Sequence, residues 1–256
     1  MRLFLGTVMS NTEILSGTHL LEVYAPQLAR ATQPGQYCML RCCASSASDP
    51  LLRRPFFIAD ADPSSGMCQF LIYQRGRGSR WLAHLAVGMP IDMLGPLGHG
   101  WMVRPEVSNL LLIGEEPRLG AVLSLLRRAI AQEISITLLH LTRAGELSYP
   151  AALLPPEVEY QVVVGSDQPA SFAGLFDEYL TWADGACCSV VDSTIEVLAG
   201  DSVRWRAANF AQVALERPLI CASGVCLACQ VELRQGSRLI CRDGPIFSFS
   251  ELLTGV

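Results

Sequence analysis

Four cysteines in the last forty residues have the spacing of a metal–sulfur site. Cys221, Cys226 and Cys229 form a C-x4-C-x2-C pattern, and Cys241 follows them. This is the plant-type ferredoxin spacing, in which four thiolates bind a [2Fe–2S] cluster. A structural zinc site is the alternative, but such sites more often use two C-x2-C pairs. We therefore predict that these four cysteines bind an iron–sulfur cluster.

The residues around these cysteines predict how the chain presents them. Two strand-like runs, 231–233 and 238–240, flank a turn at 235–237, so a hairpin would bring Cys241 back to the other three. Small side chains within the loop would let backbone N–H groups approach the sulfurs and offset their negative charge. These small residues are Ala222, Ser223, Gly224 and Ala228.

The other six cysteines lie in apolar or strand-like stretches, and we predict that they pack in the core as small hydrophobic side chains. They are Cys38, Cys42, Cys43, Cys68, Cys187 and Cys188. The four histidines share no metal-ligand spacing and are expected to be structural or surface residues. Neither a Ser-His-Asp arrangement nor a carboxylate pair can be argued, so no catalytic side chain is predicted.

Composition excludes several functional classes. Half of the 256 residues are hydrophobic and 17% are charged, which predicts a folded chain with a large core. The net charge of −5 provides no basic field for nucleic acid, and all 19 basic residues are arginine. No apolar run reaches the roughly 20 residues of a membrane span. We expect a cytoplasmic protein that does not cross a membrane.

A second motif predicts a flavin site. Arg54-Pro55 is followed by Gly76-x-Gly78-Ser79, with Arg75 and Arg77 close by. An arginine fixed before a proline can offer its guanidinium to a phosphate, and glycines permit close backbone approach. A helix over 79–86, N-capped by Ser79, would present N–H groups to a pyrophosphate. A basic strand with a glycine turn is the alternative interpretation.

The periodicity predicts an α+β, multi-domain chain. Short alternating strands over 1–98 indicate an antiparallel β-barrel, which would be the flavin domain. Alternating strands and helices over 99–213, including a helix over 119–132, indicate an α/β parallel-sheet domain of nucleotide-binding type. Residues 214–256 form a small C-terminal iron–sulfur segment.

Taken together, these motifs resemble one family across the whole chain. That family is the iron–sulfur electron-transfer subunit of the two-subunit, NAD-linked dihydroorotate dehydrogenase, within the ferredoxin-reductase superfamily. The stretches that carry the resemblance are Pro34–Tyr37, Arg54–Pro55, Gly76–Ser79, Gly95–Gly98, Leu215–Arg217 and Cys241–Phe247.

The resemblance implies cofactors and a partner. In that family the barrel binds FAD and the middle domain binds NAD(H). The cluster relays electrons to a separate FMN-bearing subunit that oxidises dihydroorotate in pyrimidine biosynthesis, and a heterotetramer is expected. Phe57 stands where the family often has Ser, so only backbone groups could bond a flavin there. The residues implied to hold FAD are Arg54, Pro55, Phe56, Phe57, Leu71, Ile72, Tyr73, Gly78 and Ser79.

The middle domain departs from the family pattern. Its glycine-rich turn is replaced by Glu115-Glu116-Pro117, and the family's Cys-Gly-Pro stretch is absent after Cys188. Carboxylates repel phosphates, and proline lacks an amide donor. Two interpretations follow: a nucleotide binds in another geometry, or the domain has lost NAD(H) and serves as a scaffold. Arg118 could partly compensate for the acidic pair.

Three functions remain open from the sequence. The first is an electron-transfer flavoprotein subunit, of the dihydroorotate dehydrogenase type, that needs a partner catalytic subunit. The second is a related NAD(P)H–ferredoxin or sulfide-type reductase subunit with the same cofactors. The third is a non-catalytic iron–sulfur assembly subunit that has lost NAD(H) binding.

Overall fold

Two β-sheets and a hairpin form the framework of the computed structural model, which describes residues 2–143, 147–165, 176–201 and 203–252. The first sheet has seven antiparallel strands in the order β4-β3-β7-β1-β2-β6-β5. It curls around an apolar core, as the alternating pattern predicts. Its strands are β1 (Arg2–Leu15), β2 (Thr18–Tyr24), β3 (Tyr37–Leu40), β4 (Arg54–Phe57), β5 (Asp60–Asp62), β6 (Met67–Tyr73) and β7 (Pro90–Leu97).

Two short helices accompany this sheet, α1 (Pro26–Ala31) and α2 (Arg77–Ala83). The prediction that Ser79 caps the second helix is wrong. Gly76 is the N-cap of α2, and the Ser79 hydroxyl reaches back from the third helical position. It accepts the Arg75 N–H at 2.9 Å and the Gly76 N–H at 3.1 Å. The helix therefore begins earlier than predicted, since a serine can satisfy these amides from inside the first turn.

The second sheet has six strands in the order β10-β9-β8-β11-β12-β15. Its first five strands are parallel, as predicted, and β15 adds an antiparallel edge. The chain builds the sheet outward from β8 in one direction and then continues from β11 in the other. The strands are β8 (Asn109–Glu115), β9 (Ser135–Thr142), β10 (Val158–Val164), β11 (Gly185–Ser189), β12 (Ala211–Ala214) and, after the hairpin below, β15 (Ile246–Ser248).

In the described parts of the chain, four helices connect these parallel strands, and 3-10 turns lie at Ala151–Leu153, Val203–Arg206 and Phe249–Glu251. The longest helix, over 192–201, is not predicted by the sequence analysis, which extends the preceding strand to residue 192. The helices are α3 (Gly120–Leu123), α4 (Leu126–Ala131), α5 (Asp177–Trp182) and α6 (Asp192–Asp201).

The single helix predicted over 119–132 is two helices, because Ser124 interrupts it. The Ser124 hydroxyl donates to the Ala121 carbonyl at 2.5 Å, a side-chain bond that competes with the helical ladder. The same oxygen accepts the Gly35 N–H at 2.8 Å. Gly35 belongs to the first sheet's loops, so this buried serine also joins the barrel to the parallel-sheet domain.

The C-terminal segment contains the predicted hairpin, formed by β13 (Gln230–Leu233) and β14 (Gly236–Leu239). The turn lies at 234–235, and Gly236 follows it with a φ of 98°. Helix α7 (Ile240–Asp243) then carries Cys241, and β15 returns to pair with β12. Part of the segment predicted over 214–256 is therefore a strand of the middle sheet; the three domain boundaries stay predictions.

The six cysteines predicted to be packing residues are all buried, with exposures of 0–6%. All ten cysteines are free thiols. Within the described residues, no helix is long and apolar enough to cross a bilayer. One core of the parallel-sheet domain contains Trp205, whose ring contacts Phe176, Phe210 and Phe249.

We expect Ser124→Ala to destabilise the chain. The buried Gly35 N–H would lose its acceptor, which costs about 1–3 kcal/mol of unfolding free energy. Chemical denaturation measures the unfolding free energy of this variant. The control is Ser135→Ala, which removes an exposed hydroxyl at the start of β9. Equal stability of the two variants would contradict the joining role of Ser124.

Candidate redox site

A cavity of about 460 Å³ lies where the barrel meets the parallel-sheet domain. Eight of the nine residues implied to hold a flavin line it, all except Ile72. Arg75, Gly76 and Arg77 border it as well. Four further lining residues are not among the predicted ones: Pro50, Pro117, Gly120 and Glu216. Three of these four lie outside the barrel in sequence, so only folding brings them next to the residues of the predicted flavin motif.

Ile72 does not line this cavity. Its side chain is fully buried in the barrel core, whereas its strand neighbours Leu71 and Tyr73 line the cavity. Successive side chains of a strand point to opposite faces of the sheet. Only the backbone of Ile72 could therefore face a flavin, and its assignment stays a prediction.

Arg54 is a cavity arginine with donors available for an anion. Its side chain is exposed, and Nη1 donates only to the neighbouring carbonyls of Leu52 and Arg53, at 3.2 and 3.3 Å. By contrast, Arg53 is held by Asp92 at 2.8 Å and Arg77 by Asp49 at 2.7 Å. The guanidinium of Arg54 is thus placed to bind a phosphate at the cavity rim.

The cavity wall fits a flavin in shape and chemistry. Pro55, Phe57 and Leu71 provide an apolar surface, and ligand pockets of 300–1,000 Å³ combine such surfaces with a few polar groups. The Tyr73 hydroxyl is buried and has no hydrogen-bond partner among the described residues. A Cβ on Gly78 would meet the Cys42 Cβ at 3.0 Å, so this glycine lets α2 pack closely beside the cavity.

The cysteine loop folds so that its amides face its sulfurs. Ala222, Gly224 and Leu227 have φ values of 54°, 80° and 57°, which bend the loop repeatedly. The Ser223 N–H donates to the Cys221 sulfur at 3.4 Å, which confirms the predicted approach of an amide. Across the hairpin, the Cys241 N–H donates to the Cys229 sulfur at 3.5 Å.

The four cysteines differ in exposure and in acidity. Cys226 is exposed and Cys221 half-buried, whereas Cys229 and Cys241 are buried. Hydrogen bonds from Ser223 lower the pKa of Cys221 to about 5. Burial raises the pKa of Cys241 to about 11, and the Gly224 amide counteracts it. An iron–sulfur cluster requires thiolates, and this loop already favours one of them before any metal binds.

The arrangement favours a cluster over a single zinc ion. Cys221, Cys226 and Cys229 lie on the loop that precedes β13, and Cys241 lies on α7. Zinc needs four ligands around one point, whereas a [2Fe–2S] cluster distributes its four ligands over two irons. Cysteines on a loop and on a facing helix match the second arrangement.

Comparison with known proteins places this geometry in a family context. Residues 216–253 match the family described as the iron-sulfur cluster binding domain of dihydroorotate dehydrogenase B. The chain is 26% identical to the electron transfer subunit of dihydroorotate dehydrogenase B (NAD(+)) from Desulforamulus reducens, over 96% of both chains. It is 25% identical to the Geobacillus thermodenitrificans subunit, over 96% of this chain and 97% of that one.

The chain resembles these electron-transfer subunits along nearly its whole length. Solved structures agree on the fold. A chain of an NADH-dependent reduced ferredoxin–NADP oxidoreductase superposes with a TM-score of 0.75 at 19% identity, covering 97% of this chain and 89% of that one. A ferredoxin reductase of carbazole 1,9a-dioxygenase superposes with a TM-score of 0.64 at 18% identity, covering 79% and 66%. The fold is thus ferredoxin-reductase-like.

Tyr37 and Phe57 connect the two parts of the site. Phe57 lines the large cavity and also a second cavity of about 90 Å³, which Tyr37 and Ile240 border. The two rings pack edge to face with centroids 6.5 Å apart. Burial raises the pKa of the Tyr37 hydroxyl well above its ordinary value, and the thiolates of the cysteine site raise it further. Tyr37 packs in one apolar cluster with Ala222, which follows Cys221 in the cysteine loop.

The departure at Phe57 has a structural role. This aromatic ring fills the space between the large cavity and Tyr37, which a serine would leave open. Ala222 of the cysteine loop belongs to the same apolar cluster as Tyr37, with Phe57 packed against it. The cysteine loop is thus attached to the barrel through these three side chains.

We expect Arg54→Ala to weaken FAD binding. Hydrogen bonds to charged groups contribute about 1.5–3 kcal/mol, so the dissociation constant should rise about ten- to hundredfold. Titration of flavin-free protein with FAD, followed by flavin fluorescence, measures this. Arg30→Ala is the matched control, since Arg30 is exposed on α1 and does not line the cavity. An unchanged affinity in Arg54→Ala would refute the assignment of Arg54.

We expect His140 to make stability depend on pH. It is fully buried, Nδ1 lies 2.8 Å from the Tyr160 hydroxyl, and Nε2 lies 3.8 Å from a Glu116 oxygen. Burial lowers the pKa of His140 to about 4 from 6.5. As pH falls from 6.5 to 4, the unfolded chain binds a proton that the folded chain does not, so the unfolding free energy falls.

The measurement compares unfolding midpoints at pH 7 and pH 5. Between pH 7 and pH 5, protonation of His140 in the unfolded chain should lower the unfolding free energy by about 2 kcal/mol. The variant His140→Gln should lose this part of the pH dependence. His84→Gln, at an exposed histidine, should keep the wild-type slope. Identical slopes in wild type and His140→Gln would show that the buried imidazole is not the cause.

Proposed function

We propose that this protein is an electron-transfer subunit of the dihydroorotate dehydrogenase B type. It holds FAD in the barrel cavity and a [2Fe–2S] cluster on Cys221, Cys226, Cys229 and Cys241. It serves a separate FMN-bearing catalytic subunit in pyrimidine biosynthesis. The observation that supports this most is that Phe57, which lines the cavity proposed for FAD, packs against Tyr37, which shares an apolar cluster with Ala222 of the cysteine loop.

When bound, FAD supplies two-electron exchange with a donor, and the cluster supplies one-electron transfer to the partner. The side chains have the supporting roles that such chemistry needs. Arg54 binds a phosphate, and Pro55, Phe57 and Leu71 form the apolar wall of the flavin site. The amide of Ser223 stabilises thiolate charge. No acid–base side chain is required, since proteins of this type set distances and potentials.

The cysteine loop also presents the surface that we propose for the partner. Cys226 is the exposed ligand, and its apolar neighbours Val225 and Leu227 are 80% and 56% exposed. Ile220 adds a further 46%-exposed side chain. Exposed apolar groups that are clustered at a functional loop are typical of protein interfaces. A partner docked here would bring its own redox centre close to the cluster.

Location and assembly are part of the proposal. Free cysteines are typical of a reducing compartment, and all ten are free here, so we propose a cytoplasmic location. We propose a heterotetramer of two electron-transfer and two catalytic subunits. The alternative is a related NAD(P)H–ferredoxin reductase subunit, which would have a different partner. A solved ferredoxin–NADP oxidoreductase chain has the same fold as this protein.

We expect Cys226→Ala to lose the cluster while the chain stays folded, because Cys226 is exposed and the cluster needs four ligands. Iron analysis and the visible absorption of the purified protein measure this. Cys43→Ala, at a buried cysteine far from the loop in sequence, should retain about two irons per chain. Equal iron in the two variants would contradict the assignment, and iron without flavin in the wild type would favour the assembly function.

Co-purification from native cells tests the partner. We expect the protein to purify with an FMN-containing dihydroorotate-oxidising subunit. Val225→Asp should weaken that association by about tenfold or more, because it places a charge in an apolar interface. Val203→Asp is the control, at a 90%-exposed valine in a 3-10 turn. A partner without FMN would favour the ferredoxin-type reductase, and equal association of the two variants would refute this docking surface.

A further inference from the structure

The parallel sheet has a topological switch point between β8 and β11. From β8 the sheet extends through β9 to β10, and from β11 it extends through β12 in the opposite direction. Ligands of open α/β sheets bind outside the carboxyl ends of the strands at such a point. Here those ends are Glu115 of β8 and Ser189 of β11, and helix α6 begins just after the second.

A side chain of this protein already occupies the anion-binding start of α6 in that crevice. One Glu115 carboxylate oxygen accepts the Val191 N–H at 3.1 Å and the Thr194 hydroxyl at 2.9 Å. These donors lie at the start of α6, where amides and the helix dipole favour an anion. Glu115 is only 3% exposed and Thr194 is fully buried. The anion bound at this helix end is therefore internal.

The nearby arginines are also engaged. Arg118 donates from Nη1 to the Val190 carbonyl at 2.7 Å, and its Nε lies 3.2 Å from a Glu216 oxygen. Arg217 pairs with Asp192, in the first turn of α6, at 2.9 Å. Asp192 thus adds a second carboxylate to the same helix end. Because Arg118 and Arg217 are already paired with carboxylates, neither guanidinium is available to a diphosphate, and the carboxylate of Glu115 opposes its approach.

The backbone of the turn offers little in exchange. Gly114 lies near the end of β8, beside this turn, and a Cβ on it would lie 2.4 Å from a Leu119 methyl group. This glycine is therefore needed for packing the turn onto its strand. Pro117 has no N–H to donate. Ser189 donates its hydroxyl to the Arg118 carbonyl at 2.9 Å, which ties the turn to β11.

We infer that Glu115 is a specificity-determining residue whose carboxylate closes the switch-point crevice to the diphosphate of a nicotinamide dinucleotide. The inference concerns the parallel-sheet domain alone and does not depend on the proposed electron-transfer function.

Calorimetric titration of the FAD- and iron-loaded protein with ADP-ribose tests it. ADP-ribose carries the diphosphate of NAD(H) but cannot reduce a flavin, so binding is measured without turnover. The wild type should show no saturable binding up to about 1 mM. Glu115→Gln keeps an acceptor for both hydrogen bonds and removes the charge, and Glu115→Ser also opens space. We expect these variants to bind at least about tenfold more tightly.

Glu196→Gln is the matched control, because it removes a charge from an exposed position on the same helix; it should behave as the wild type. Saturable binding by the wild type would overturn the closure. Absence of binding in both Glu115 variants, with FAD and iron retained, would overturn the role of Glu115. The FAD and iron contents of the same samples report separately on the proposed function.

Discussion

The charge of four thiolates is the constraint on which the rest of the site depends. Sulfurs gathered on one loop repel each other, and amides must face them before a cluster can bind. Left-handed residues at 222, 224 and 227 provide the bends that turn the Ser223 amide toward Cys221. Ala222 then anchors the loop against Tyr37. The loop therefore needs both its own backbone conformation and the barrel beneath it.

That anchoring also sets the distance between the two cofactor sites. Phe57 lines the cavity proposed for the flavin and packs edge to face against Tyr37, which shares an apolar cluster with Ala222 of the cysteine loop, so aromatic side chains lie between the two proposed sites. Ser124 holds the barrel against the parallel-sheet domain, which contributes Pro117 and Gly120 to the same cavity. The cavity proposed for the flavin is thus lined from both domains, and Glu216 joins it from the C-terminal segment.

Features encoded by neighbouring residues could be predicted from the sequence. The cysteine spacing, the hairpin before Cys241 and the parallel sheet follow from local patterns, and the structure contains the hairpin and the sheet. Features that depend on tertiary contacts could not. The link between Ser124 and Gly35 joins residues 89 positions apart, and Glu216 reaches the cavity proposed for the flavin only after the domains meet. The sequence shows that the turn at Glu115-Glu116-Pro117 is acidic. The hydrogen bonds of Glu115 to the start of α6 depend on a contact between distant residues, so they could not be predicted.

Electron transfer between the two cofactors within one chain is the central claim, and flash photoreduction of the flavin in the loaded protein tests it most directly. We expect cluster reduction to follow flavin reduction at a first-order rate that does not change with protein concentration. A rate proportional to protein concentration, or a cluster that stays oxidised, would contradict electron transfer between the two cofactors of one chain past Phe57 and Tyr37.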